Sequence, residues 1–317
     1  MSDLTLRISA INAEAKDILS FELVSIDGQN LPPFEPGAHL EVHLANGLKR
    51  HYSLSNDCEE RDRYVIGVSL APASRGGSRF LHGGLQVGDN IRTSLPRNHF
   101  PLIKNGERYD FIAGGIGITP ILAMVRWCEA NGKEWYLHYL ARNRLRAAFY
   151  EELQQLSPTR VKYHFLDEHD GQPLDVEKTL MGIPQHSHIY CCGPGPLMER
   201  VKAGTDNRPA EHAHFEWFSA APQVAADLTT GFTLIARRSG ITVNVSPEQS
   251  ILEALESNGL CVPFSCREGL CSSCETRVLA GIPEHRDFVL SESQKASNQT
   301  MLICVSRSKS EVLELDV

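Results

Sequence analysis

The chain has 317 residues, 42% hydrophobic and 22% charged, which suits two or three folded domains and excludes a disordered or fibrous chain. A net charge of −8 argues against a nucleic-acid or anionic-membrane binder, because such surfaces are basic. Nine cysteines, an odd number without a basic-then-apolar leader, do not read as a disulfide framework; they point to a reducing, cytoplasmic setting in which clustered cysteines bind metal.

The first hundred residues read as β structure. Leu4, Leu6 and Ile8 alternate with polar residues, as do Leu40, Val42 and Leu44, and then Ile66, Val68 and Leu70. Turn signals at Pro32-Pro33, Pro36-Gly37, Asn46-Gly47 and Gly88-Asp89 separate these runs, so an antiparallel barrel or sandwich is expected. After Asn105-Gly106 the pattern changes. Tyr109–Ala113 is a short apolar strand that runs into glycines, and a helix follows with Thr119 as N-cap, Pro120 at its first position and Asn131-Gly132 at its end. Ile121, Leu122, Val125 and Cys128 form its buried stripe. Strands at Trp135–Leu140, Val161–Leu166 and His188–Cys191 alternate with helices around Ala147–Leu156 and Pro196–Lys202, which gives a parallel sheet with helices on its faces. The small, mostly uncharged run SAAPQVAADLTT, from Ser219 to Thr230, is a linker. Beyond it come strands at Phe232–Arg237 and Ile241–Val245, a helix over Pro247–Ser257 and a cysteine-rich loop. The longest uncharged stretch, Phe111–Val125, is broken by glycines and Pro120 and is too short to span a membrane.

Four cysteines carry the strongest chemical signal. Cys266, Cys271 and Cys274 stand as C-x4-C-x2-C, and Cys304 follows after 29 intervening residues. This is the plant-type [2Fe–2S] spacing: each iron needs two thiolates, a tight loop delivers three, and a distant fourth closes the cage. Gly269 allows the backbone angles that such a loop requires. Structural zinc, the alternative, favours two close C-x2-C pairs, and Cys304 has no such neighbour.

Weaker motifs surround it. Gly114-Gly115-Ile116-Gly117-Ile118-Thr119-Pro120 joins a strand to a helix, where a pyrophosphate can approach the backbone; it departs from G-x-G-x-x-G at Pro120. Cys192-Gly193-Pro194 ends a later strand of the same sheet. In Arg50-His51-Tyr52-Ser53 an arginine can fork onto phosphate, a tyrosine can pack on a flat ring and a hydroxyl can bond a ring nitrogen, although a half-buried strand explains the same residues. Arg75-Gly76-Gly77-Ser78 is either a phosphate-cradling turn or a flexible loop.

Taken in order, RHYSLSN, SRGGSRF, PRNHFPL, AGGIGITPILAM, CGPGPLM, HFEWF and CREGLCSSCE resemble the phthalate dioxygenase reductase family, alongside the reductases of vanillate demethylase and carnitine monooxygenase. The resemblance covers essentially the whole chain. It implies an antiparallel β-barrel flavin domain at 1–103, an α/β parallel-sheet NAD(P) domain at 104–222, a linker at 223–231, and a C-terminal α+β β-grasp ferredoxin domain at 232–317. It implies FMN, with Arg50 and the Gly77-Ser78 turn on its phosphate, Tyr52 and Ser53 on the ribityl chain and isoalloxazine, and Ser53 near N5. Gly115, Gly117, Thr119, Cys192 and Gly193 would line the nicotinamide dinucleotide path. Phe218 is the choice for the aromatic beside the flavin, with Trp217 as its alternative. Electrons would pass from NADH through FMN and the [2Fe–2S] cluster at Cys266, Cys271, Cys274 and Cys304 to a Rieske-type oxygenase. No acid–base pair is required, and no histidine is given a catalytic role.

Two departures accompany the resemblance. Arg142 and Arg144 stand where an NAD-selective carboxylate usually does, so NADPH is the alternative donor. Ser272 stands where glycine is common. The rival functions are reduction of a different acceptor and a flavin/iron–sulfur redox sensor.

Overall fold

The computed structural model describes residues 3–71, 76–219 and 230–317. The chain divides into two compact units, Met1–Phe218 and Ser219–Val317.

The first unit begins with strands β1 (Asp3–Ala15), β2 (Ile18–Ser25), β3 (Ala38–His43), β4 (Lys49–Ser53) and β5 (Arg63–Ser69), helix α1 (Gly77–Gly84), and strands β6 (Asn90–Ser94) and β7 (Arg97–Asn98). They form one antiparallel sheet in the order β4-β3-β6-β1-β2-β5, with β7 on β3. A Leu54–Ile66 bridge and the bond from Ser55 N to Val65 O, 2.9 Å, join the two ends, so the sheet closes as the expected barrel. Leu6, Ile8, Leu40, Val42, Ile66 and Val68 are all buried, as their alternation requires.

A parallel sheet follows. Its elements are β8 (Arg108–Gly114), α2 (Ile118–Ala130), β9 (Glu134–Ala141), α3 (Tyr150–Leu156), β10 (Val161–Phe165), α4 (Val176–Met181), β11 (His188–Gly193), α5 (Gly195–Gly204) and β12 (Ala213–Trp217). The strand order is β10-β9-β8-β11-β12, which reverses direction at β8 and makes the carboxyl ends of β8 and β11 the switch point. Helix α2 is buried well beyond the expected stripe: Ile118, Ala123, Met124 and Trp127 are enclosed together with Ile121, Leu122, Val125 and Cys128. The reason is packing on two sides, because barrel and sheet share one apolar core through α2. Thr119 is not the N-cap. A 3-10 turn over Gly115–Gly117 runs directly into α2, Gly117 occupies the cap, and the Thr119 hydroxyl donates to Ile116 O at 3.0 Å. Arg146 clasps Asp17 at 2.8 Å, and Lys16 N donates to Leu145 O at 2.8 Å, so sheet and barrel are also tied at the surface.

The second unit contains β13 (Phe232–Ala236), β14 (Ile241–Val245), α6 (Ile251–Ser257), β15 (Glu275–Ala280), β16 (Pro283–Glu284), α7 (Glu292–Ser297), β17 (Thr300–Leu302), β18 (Arg307–Ser308) and β19 (Val312–Leu315). Its main sheet has the order β14-β13-β19-β15-β17, with β13 and β19 parallel and α6 packed on its core. Helix α6 starts four residues later than the sequence suggests. Ser250 and Glu253 form a reciprocal capping box there, which satisfies the first free N–H groups and sets the boundary. Residues 220–229, most of the expected linker, and Arg75 lie outside the described residues.

Candidate functional site

Strand β4 delivers Arg50 and Tyr52 to one face of the barrel and Ser53 to the other, because successive side chains alternate. Arg50 crosses Gly77 at the start of α1 so closely that a Cβ there would lie 2.8 Å from its Cγ and Nε. Guanidinium and helix start thus stand side by side, an arrangement that suits a phosphate. The Ser78 hydroxyl accepts from Ala71 N at 3.2 Å, which braces the turn. Tyr52 is half-buried, and desolvation raises its phenol to about 12, so it is a neutral ring at physiological pH. These residues fit a flavin mononucleotide: a cationic cradle at one end and a neutral aromatic two residues along.

The seam between barrel and parallel sheet lies at Ser53. Its Oγ donates to Oε2 of Glu216 at 3.3 Å; Ser53 is buried and Glu216 is half-buried. Burial pushes the Glu216 carboxyl up to about 8, against the smaller opposing effect of the Ser53 hydrogen bond. Glu216 pairs in register with Cys192 on β11. Cys192 is wholly buried, and desolvation, reinforced by the nearby Glu216, holds its thiol well above the usual range. Ser53, Cys192 and Glu216 therefore form one neutral polar group at the seam. Sequence reasoning placed the first two and passed over Glu216, although HFEWF contained it. The available signal was a lone carboxylate in an otherwise aromatic strand.

The nucleotide edge sits beside this group. Gly117 is where the turn meets β11: a Cβ would lie 2.2 Å from the Cys192 carbonyl oxygen and 2.9 Å from Gly193 N. Gly115 opens the turn, Gly193 ends β11, and Thr119 rests by its methyl against Gly67 of the barrel. Gly115, Gly117, Thr119, Cys192 and Gly193 are thus brought together. Phe218 lies just past β12 and is 40% exposed. Trp217 instead packs against the apolar cluster of Ile112, Val176 and Met198, beyond the far face of the sheet from α2. The arginines after β9 do not act as a set. Arg144 is paired with Glu151 at 3.2 Å, both side chains being exposed, and lies over the Tyr150 ring at 4.4 Å; Arg142, at the strand end, is exposed as well.

In the second unit the cysteine loop closes on its own sulfurs. Glu268 N and Leu270 N donate to the Cys266 sulfur at 3.3 and 3.4 Å, and Cys266 N to that of Cys271 at 3.4 Å. Cys304, from the segment after β17, comes within bonding reach of Cys266 and Cys274. Backbone N–H groups aimed at sulfur stabilise thiolates, as a bound iron–sulfur cluster requires. Gly269 has φ +70°, as expected, and Ser272 has φ +53°, which explains why glycine is common there. Arg267, also at positive φ, is held by Glu256 at 2.6 Å and stacks on Phe264 at 4.1 Å. Among the described residues no three His, Cys, Asp or Glu side chains surround a single ion. Four convergent thiols with this spacing fit a two-iron cluster. No helix among the described residues is long and apolar enough to cross a membrane.

Residues 234–309 match the 2Fe-2S iron-sulfur cluster binding domain, and residues 111–203 match the oxidoreductase NAD-binding domain. The chain is 44% identical over 318 residues to the phenoxybenzoate dioxygenase subunit beta of Ectopseudomonas oleovorans, covering 100% of this chain and 98% of that one. It is 43% identical over 317 residues to the vanillate O-demethylase oxidoreductase of a Pseudomonas strain, covering 98% of each. The solved structure of phthalate dioxygenase reductase, described as modular for electron transfer from pyridine nucleotides to [2Fe–2S], matches with a TM-score of 0.74 and 40% identity over 100% of this chain and 98% of that one.

Proposed function

The chain belongs to the phthalate dioxygenase reductase family, and we propose that it is the cytoplasmic reductase that carries electrons from NADH to a Rieske-type oxygenase. In this reading residues 1–103 hold FMN, 104–222 receive NADH, 223–231 link, and 232–317 carry the [2Fe–2S] cluster. When bound, FMN accepts a hydride and releases electrons singly, and the cluster takes them one at a time. Arg50 and the Gly77-Ser78 turn hold the flavin phosphate. Tyr52 packs along the ribityl chain and ring, and Ser53 offers its hydroxyl near the ring nitrogen that receives hydride. Glu216 accepts the Ser53 hydrogen bond, orients that hydroxyl and keeps its own proton at neutral pH. Gly115, Gly117 and Thr119 bring the dinucleotide over the α2 start, with Cys192 and Gly193 as the floor and Phe218 at the rim.

The Ser53–Glu216 contact carries the proposal, because it joins the flavin strand to the nucleotide sheet where stacked rings would meet. The purified protein should show flavin and iron–sulfur absorbance together, and anaerobic NADH should bleach both. Cys271→Ser should lose cluster bleaching and keep flavin bleaching. Protein that contains zinc and no inorganic sulfide would falsify the reading. Reduction of a purified Rieske oxygenase, against a haem protein as the competing acceptor, tests the partner.

A further inference from the structure

We propose that the face of the parallel sheet remote from α2 holds a second binding pocket, for a small dianion. The crossover from β10 to β11 is made by α4, a helix of only six residues. Its apolar side, Val176 and Leu180, covers Ile112 and Ile189 at the middle of the sheet. A helix this short leaves the β9–β10 side of that face bare. Register then places His138 beside Lys162 and Asp110 beside Tyr136 there. The result is a cavity of about 310 Å³ between α4 and these strands, lined by Arg108, Asp110, Tyr136, His138, Lys162 and Lys178 among others. Its α4 wall is fixed, because Arg208 donates to the carbonyls of Ile183 at 2.6 Å, Pro184 at 2.7 Å and Leu180 at 3.2 Å.

The charges in this cavity do not cancel. Asp110 is neutralised by Arg108, at 2.9 Å from Nε, and by the Ser187 hydroxyl at 2.6 Å. Lys162 and Lys178 have no ion pair, and the His138 ring has no hydrogen-bond partner, among the described residues. Lys162 and Lys178 are exposed at the rim, and Arg108 is shared between Asp110 and Glu134, 3.0 Å away, so these groups leave a net positive charge beside the His138 ring in a chain of net charge −8. Arg108 lies over the Tyr136 ring at 4.4 Å, so that ring offers no open stacking face for a base. The volume and charge suit a compact phosphate ester or dicarboxylate. Arg108 lies six residues before Gly114 on β8 and His138 pairs with Ile112, two residues before it, so the pocket is set apart from the nucleotide edge by the face of the sheet it occupies, the α4 side and not the α2 side.

His138 reports occupancy directly. It faces Lys162 and Asp110 from neighbouring strands and Lys178 from α4, and burial together with Lys162 lowers its affinity for a proton. A bound dianion would raise it. The test is a titration of the holoprotein, followed by histidine ring NMR, with inorganic phosphate, glycerol phosphate and succinate at constant ionic strength. Expected are a saturable His138 shift, an upward move of its titration midpoint, and binding about tenfold weaker in the Lys162→Ala/Lys178→Ala double variant. Flavin bleaching by NADH should be unchanged in that variant. Saturation by glycerol phosphate identifies a phosphate ester, and saturation by succinate a dicarboxylate; either supports the site. A response no different from that to chloride, or undiminished binding by the double variant, overturns it.

Discussion

A desolvated carboxyl group with a serine hydroxyl as its hydrogen-bond partner keeps its proton at neutral pH. Glu216 is in that position, and its ionisation near pH 8 should be visible in the chemistry. We expect the rate of flavin reduction by NADH to fall along an alkaline limb centred near pH 8. Glu216→Gln, which keeps the shape and cannot ionise, should lack that limb in anaerobic stopped-flow measurements; an identical profile would refute the assignment. The same residue affects stability with a definite sign. Its folded value lies above the ordinary 4.5, so its contribution is fully present below 4.5 and is lost as pH rises through about 8. Glu216→Gln should therefore flatten the decline in Tm between about pH 4.5 and 8. Ser272 gives a second test at this scale. With φ +53° it is strained, and Ser272→Gly should raise the Tm of the ferredoxin unit by an amount equivalent to about 1 kcal/mol.

Elements owe their limits here to backbone fit as much as to side-chain preference. The turn before α2 touches β11 through Gly117, where an added Cβ would stand 2.2 Å from a carbonyl oxygen. Backbone cannot yield there without parting the turn from the strand. Gly117→Ala should cost about 1–3 kcal/mol and raise KM for NADH. Gly115→Ala meets open space and should cost about 1 kcal/mol for its positive φ alone. Paired thermal scans and steady-state kinetics would show the ordering, and equal effects would contradict it. Strand alternation and glycine turns made β3, β8 and β11 legible in the sequence. The start of α2 was not, because Thr119-Pro120 imitates a cap while the preceding 3-10 turn already satisfies the free N–H groups.

At the scale of the molecule, the first unit buries several neutral histidines. His39 is enclosed between His51 and His99, and burial keeps it well below the ordinary 6.5. His188 is also lowered, and His214, stacked on Tyr190, is lowered to about 4. Each takes up a proton on unfolding, so stability is lost as pH falls below about 6.5, and for His214 down to about 4. Calorimetry should show the Tm of residues 1–218 dropping between pH 7 and 5, with a shallower slope in His214→Phe. Because Glu216 acts in the opposite direction over this range, the comparison with the variant decides: an unchanged slope in His214→Phe would mean that this ring is solvated.

Spacing along the chain determined the candidate cluster cysteines, the strand–helix order and the glycine turn, because each depends on residues close in sequence. C-x4-C-x2-C is a local geometric demand, and period-two alternation fixes which face of a strand is dry. Contacts between distant residues were decided only by the tertiary structure. Ser53 and Glu216 lie 163 positions apart, and only the docking of barrel on sheet makes them partners. That docking also encloses α2 on two sides, and the packing of β12 beside β11 sets Glu216 in register with Cys192. The physical reason is common to all three: burial and pairing set a group's charge and availability, and neither can be read from its neighbours in sequence.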